Sequence, residues 1–82
     1  MVNIKVLFFG ATADIVGNRE VEFDFEDGTK SDSVFSQIVE KFPKLAEYSL
    51  LFALNQEYIN DNDSVIINEN DELAIFTAVS GG

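Results

Sequence analysis

The stretch VNIKVLFF, Val2 to Phe9, decides how the rest of the chain must fold. It is rich in β-branched and aromatic residues, which suit a pleated, half-buried strand, and Gly10 stops it. Its even positions (Val2, Ile4, Val6, Phe8) are uniformly apolar and so face a core. Its odd positions run Asn3, Lys5, Leu7, Phe9, polar first and apolar later. The remaining segments must supply something for the even set to pack against.

Downstream, Ala11 to Gly17 reads as a short turn or a single helical turn. Glu20-Val21-Glu22-Phe23-Asp24-Phe25 then alternates strictly, which predicts a strand with Val21, Phe23 and Phe25 inward, closed by the turn Glu26-Asp27-Gly28. There the period changes. Val34, Phe35, Ile38, Val39 and Phe42 recur at helical spacing and define one amphipathic face. Ser31 is the expected N-cap, with Asp32 in the first turn and Lys41 and Lys44 near the far end, each sign suited to the helix dipole. Pro43, the only proline, stops the helix at or near Phe42. A strand over residues 50–55 and a short extended piece at Tyr58-Ile59 follow. Residues 61–70 are turn-rich around Val65-Ile66-Ile67. The last strand, 72–76, has Leu73 and Ile75 on one side and Ala74 and Phe76 on the other.

The order is β-β-α-β-(short β)-β, an α+β chain in which one helix covers one face of a mixed sheet of four to five strands. First and last strands of such a chain pair most simply in parallel at the centre, which is the β-grasp arrangement. The expected organisation is a β-grasp domain over residues 1–76 and a flexible Gly-Gly tail over 77–82.

Composition removes many functions. Eighty-two residues leave room for one core, and 46% hydrophobic content is too high for a disordered chain. There is no Cys, hence no disulfide, thiolate site or iron–sulfur cluster, and no His, the commonest zinc ligand and general base. No apolar run approaches the ~20 residues of a membrane span, and a cytoplasmic location is expected. Fifteen acids against five bases give a net charge of −10, and no base follows Lys44. Such a surface repels nucleic acid and anionic lipid; it serves solubility or steers toward a basic protein partner.

Side chains do not make an active site. Asp61-Asn62-Asp63 opens like a calcium loop, but Val65 and Ile66 stand where that loop needs an oxygen ligand and a glycine. No spacing pairs a nucleophile with a base, and no phosphate-binding glycine motif is present. What stands out instead is the ending, Val79-Ser80-Gly81-Gly82. Without Cβ atoms an extended Gly-Gly segment can thread a narrow channel, and its carboxylate is open to adenylation and then to a nucleophile. The second feature is parity. With the even residues of the first strand and Leu73 and Ile75 inward, Leu7, Phe9 and Phe76 lie on the sheet's other face, together with Tyr58. A helix cannot cover both faces, so these four form an exposed apolar patch suited to a partner.

Taken together, these residues resemble the small, sulfur-carrying subunit of molybdopterin synthase, a ubiquitin-like β-grasp family. The likeness runs the length of the chain: Ile4-Lys5-Val6-Leu7-Phe8-Phe9, the Gly17 region, Phe42-Pro43, Ala53 to Ile59, Asn70 to Ile75, and the closing V-S-G-G. The first strand and the ending are its specific parts. The resemblance implies that Gly82, preceded by Gly81, is adenylated by an ATP-dependent activating enzyme and then sulfurated to a thiocarboxylate. The tail enters the large synthase subunit and gives its sulfur to cyclic pyranopterin monophosphate, within a heterotetramer. The implied partner-binding residues are Leu7, Phe9, Tyr58, Phe76, Val79 and Ser80. No metal and no cofactor is implied for this chain itself, ATP being used by the activating enzyme.

One departure is visible. The family commonly places Pro-Pro before V-S-G-G, and this chain has Thr77-Ala78, which should loosen the root of the tail. The alternatives are the thiamine-pathway sulfur carrier, a ubiquitin-like modifier that forms isopeptides through Gly82, and a plain interaction domain.

Overall fold

The computed structural model describes residues 1–60 and 63–77. In chain order the elements are β1 (Val2–Phe8), α1 (Ala11–Val16), β2 (Glu20–Phe25), α2 (Ser31–Lys41), a 3-10 helix (Pro43–Glu47), β3 (Leu50–Leu54), β4 (Glu57–Ile59) and β5 (Glu72–Thr77). The five strands form one sheet in the order β2-β1-β5-β3-β4. First and last strands meet in parallel at its centre, with Val6 opposite Leu73 and Phe8 opposite Ile75. All other pairings are antiparallel. This is the β-grasp fold, as the element order predicted.

The core forms on one side of the sheet because every strand alternates in phase. Ile4, Val6 and Phe8 from β1, Leu73 and Ile75 from β5, and Phe52 and Leu54 from β3 join Val34, Phe35 and Ile38 of α2 in one buried cluster. Phe35 stacks on Phe52 at 3.8 Å between ring centroids, and Phe42 meets the edge of Phe8 at 5.9 Å. Full burial of each such ring contributes about 1.5–3 kcal/mol. The 3-10 helix adds Leu45, and α1 adds Ala13, Ile15 and Val16, so all three helical segments pack on this same side.

At its N-terminus α2 departs from expectation. Ser31 is the first helical residue and Lys30 occupies the cap, with no side-chain cap bond. The Ser31 hydroxyl is buried and used elsewhere: it donates to the Asp63 carbonyl at 3.0 Å and accepts the Val65 N–H at 3.0 Å. It therefore ties the 63–65 loop to the helix start instead of capping it. Pro43 acts as expected, with α2 ending at Lys41, but the chain goes on at once into the 3-10 helix that the sequence reading did not anticipate. There Pro43 stands near the start, where its missing N–H is harmless. Of the two readings of Ala11 to Gly17, the helical one holds: α1 runs for six residues and is ended by Gly17 in the left-handed region (φ 83°), whose N–H bonds the Ala13 carbonyl.

At the other end, β5 continues through Thr77, which lies opposite Leu50. One residue assigned to the tail from sequence thus belongs to the sheet, and the rest of that segment, 78–82, lies outside the described residues.

Candidate functional site

Residues directly opposite one another in a sheet share a face, so the register defines the surface turned away from the helices. Leu7 stands opposite Ala74, Leu51 opposite Phe76, and Ala53 opposite both Ala74 and Tyr58. These six side chains form a continuous apolar surface across β1, β5, β3 and β4. Tyr58 is 73% exposed and Leu51 40%, whereas Leu7 and Phe76 are half-buried by their neighbours. The Tyr58 and Phe76 rings meet edge to face, with centroids 5.8 Å apart and planes at 69°. Phe9 follows the end of β1. Its N–H donates to the Ile75 carbonyl at 3.1 Å, carrying the β1–β5 ladder one residue further, and its side chain is 51% exposed.

Leu7, Phe9, Tyr58 and Phe76 therefore all belong to described parts of the fold that leave them partly or largely accessible. Leu51 is an addition. Every residue of β3 is apolar, so period two was invisible there, but its register with Phe76 exposes it. The other four site residues, Val79, Ser80, Gly81 and Gly82, lie outside the described residues.

Charge divides the same face. On β2, Glu20, Glu22 and Asp24 stand opposite Leu7, Lys5 and Asn3, and Glu72 of β5 stands opposite Lys5 from the other side. Lys5 is thus set between two carboxylates in register and reaches a third, Glu20, at 3.9 Å. An acidic β2 end adjoins an apolar β5–β3–β4 end, and a partner covering the whole face would need both an apolar and a basic portion.

The hairpin that carries Tyr58 is locally constrained. Asn55 and Gln56 form its two-residue turn, with φ of 51° and 72°, the positive pair expected of a type I′ turn. The Asn55 amide donates to Asp71 Oδ1 at 3.0 Å, and its Oδ1 accepts the Glu72 N–H at 3.0 Å. Asp71, itself buried, also accepts the Asn68 N–H at 2.7 Å. The turn is in this way held to the start of β5.

On the helix side, a groove of about 770 Å³ runs between α2 and the start of β3, lined by Phe35, Val39, Tyr48 and Leu50 and rimmed by Asp32 and Glu40. No titratable pair with catalytic geometry converges there. Among the described residues no three His, Cys, Asp or Glu side chains are grouped to hold a metal ion, and no helix is long and apolar enough to cross a membrane.

The model of the ThiS family matches residues 6–82. The chain belongs to the ThiS family. Among curated relatives, the molybdopterin synthase sulfur carrier subunit of Caenorhabditis elegans is 37% identical over 84 residues, covering 100% of both chains. That of Chlamydomonas reinhardtii is 35% identical over 83 residues, covering 99% of this chain and 100% of the relative. The fold is shared with a putative molybdopterin converting factor subunit 1 from Pyrococcus furiosus (TM-score 0.82, 19% identity, 96% and 100% of the two chains). It is shared equally with small archaeal modifier protein 1 of Haloferax volcanii (TM-score 0.81, 19% identity, 96% and 100%). A third neighbour in fold is a chain from the complex of subunits 1 and 2 of the molybdopterin-converting factor of Helicobacter pylori (TM-score 0.67, 21% identity, 99% and 100%).

Proposed function

We propose that this protein is the sulfur-carrier subunit of a molybdopterin synthase. The observation that carries the reading is the open sheet face bearing Phe9, Tyr58 and Phe76, with Phe76 on the strand that leads, six residues on, to Gly82. The full-length likeness to curated molybdopterin synthase sulfur carrier subunits supports it.

The chemistry then belongs to the terminal carboxyl. An activating enzyme transfers AMP from ATP to the Gly82 carboxylate and releases pyrophosphate. Hydrosulfide, or a donor that delivers sulfur at the same oxidation level, attacks the acyl adenylate and displaces AMP, leaving a thiocarboxylate. Within the large subunit the thiocarboxylate sulfur replaces an oxygen substituent on a carbon of cyclic pyranopterin monophosphate, that C–O bond breaking as the C–S bond forms. Water then cleaves the thioester, leaving the sulfur on the pterin as a thiol and returning the Gly82 carboxylate. Gly81 and Gly82 suit this role because they bring no side chain into the channel. The apolar face holds the domain while the tail reaches in, and Val79 and Ser80 add to the residues that bind the partner.

The test is intact-mass analysis after incubation with the activating enzyme, ATP and a sulfur donor, followed by binding to the large synthase subunit of the same organism. The expected product carries the mass difference of one oxygen replaced by sulfur, lost again when precursor pterin and large subunit are added. An unmodified carboxylate overturns the reading. A thiocarboxylate that the large subunit neither binds nor discharges points to the thiamine pathway, and adducts on lysines of other proteins point to a modifier.

A further inference from the structure

Phe9 and Phe76 lie 67 positions apart in sequence, yet one buried hydroxyl joins the backbone beside both. Thr12, in the first turn of α1, is fully buried. Its Oγ1 lies 2.7 Å from the Phe9 carbonyl and 2.9 Å from the Ile75 carbonyl, so its single hydrogen is shared between the two acceptors. The Phe9 carbonyl also accepts the Thr12 N–H at 3.2 Å, and the Ile75 carbonyl accepts the Phe9 N–H at 3.1 Å. Phe9, Thr12 and Ile75 thus form a closed ring of hydrogen bonds.

The turn leading into this ring is specified as well. Gly10 has φ 59° and ψ −131°, the values of the first central residue of a type II′ turn, which strongly favours glycine. The chain therefore reverses directly after Phe9 and drives Thr12 back under it. Half-exposed Phe9 would otherwise sit on a frayed strand end, held by one ladder bond.

We propose that Thr12 is a positioning residue for the docking face, fixing Phe9 relative to Phe76 so that the two rings meet the partner as one preformed unit. This rests on the sulfur-carrier reading, in which those aromatics are the docking anchors. Preformation lowers the ordering cost on binding, so loss of the tie should weaken association although neither aromatic side chain is removed. An ordinary side chain-to-backbone bond in a helix's first turn would serve local stability alone. The second acceptor, 63 residues away on β5, distinguishes this one.

The experiment is a double-mutant cycle on binding to the large molybdopterin synthase subunit of the same organism, with melting temperature recorded for each variant. Thr12→Val keeps the shape and removes the hydroxyl; Thr12→Ser restores it, and Thr12→Ala serves if the valine does not fit. In the otherwise intact chain Thr12→Val should weaken binding about fivefold, within the range of coupled neighbouring residues. Thr12→Ser should recover most of that loss. In a Phe9→Ala background the same change should have less than about a twofold effect, since there is no anchor left to position. An equal effect in both backgrounds, or a lower melting temperature with unchanged affinity, overturns the proposal while leaving the docking reading intact. If Phe9→Ala and Phe76→Ala themselves leave binding unchanged, the docking reading fails and this proposal with it.

Discussion

Tyr58 and Phe76 meet edge to face at 5.8 Å although they come from strands that do not pair with each other. The contact crosses β3, and it is possible because Ala53 lies directly opposite Tyr58 and leaves room above the sheet. Buried Ala53, placed outside the main core cluster, is the floor of the apolar face.

Adjacent residues of β5 should therefore respond in opposite ways to truncation. Ile75 is fully buried, and Ile75→Ala should remove about 2–5 kcal/mol of stability. Phe76 is only half-buried on the opposite face, so Phe76→Ala should lower the melting temperature much less. In the carrier reading, the binding of Phe76→Ala to the large subunit should nevertheless weaken by about 2 kcal/mol, roughly thirtyfold. Thermal melts read alongside calorimetric titration check both halves; a Phe76→Ala protein that melts like Ile75→Ala would place Phe76 in the core.

Gln56 holds φ at 72° in the β3–β4 turn, a position where glycine is the residue of choice. Gln56→Gly should raise stability by about 0.5–1 kcal/mol through relief of backbone strain, net of the entropy glycine adds to the unfolded chain. In a domain of this size that is a rise of a few degrees in melting temperature. Calorimetry measures it directly, and an unchanged or lower midpoint would show that Gln56 is held without strain.

Asp71 is buried with both carboxylate oxygens engaged, by Asn55 Nδ2 and by the Asn68 N–H. Asp71→Ala leaves those donors without their acceptor and should destabilise by about 1–3 kcal/mol. Hydrogen exchange should show the loss concentrated at Asn68 and around the Asn55-Gln56 turn. Uniform loss of protection across the sheet would argue against this local role.

The net charge of −10 is poorly compensated. Among the described residues the ion pairs are Met1 N-terminus to Asp27 at 3.3 Å and Lys5 to Glu20 at 3.9 Å, both substantially exposed. Self-repulsion should therefore limit stability at low salt, and the melting temperature should rise with sodium chloride. Most of the rise should come between ~0.01 M and ~0.15 M, as the screening length falls from about 30 Å to about 8 Å. A melting temperature that falls with salt would mean that the two pairs outweigh the repulsion.

Much of this molecule was legible in the sequence because its strands alternate in phase with a single core. Ile4, Val6 and Phe8 gave the inner face of β1, and Val34, Phe35 and Ile38 gave the helix that covers it. Parity then brought Leu7, Phe9 and Phe76 to the outer face. Less visible were features in which a polar side chain serves a distant backbone. Ser31 has the look of an N-cap, but its hydroxyl is claimed by Asp63 and Val65. Thr12 carried no local signal, since its second acceptor is Ile75. Leu51 was hidden for a different reason: in an all-apolar strand neither face is marked, and only pairing to Phe76 shows which way it turns.

The central place of β5 has a consequence for how the protein is made. The last of the five strands in chain order sits between β1 and β3, so the sheet is incomplete until β5 has joined it. A nascent or truncated chain has neither a closed core nor paired Phe9 and Phe76 to offer. Within the carrier reading, maturity and competence coincide: an activating enzyme that grips the folded domain meets no chain that lacks its final strand. In that reading the topology would itself act as a proofreading step, since the strand that completes the sheet is also the one that precedes Gly81 and Gly82 in the sequence.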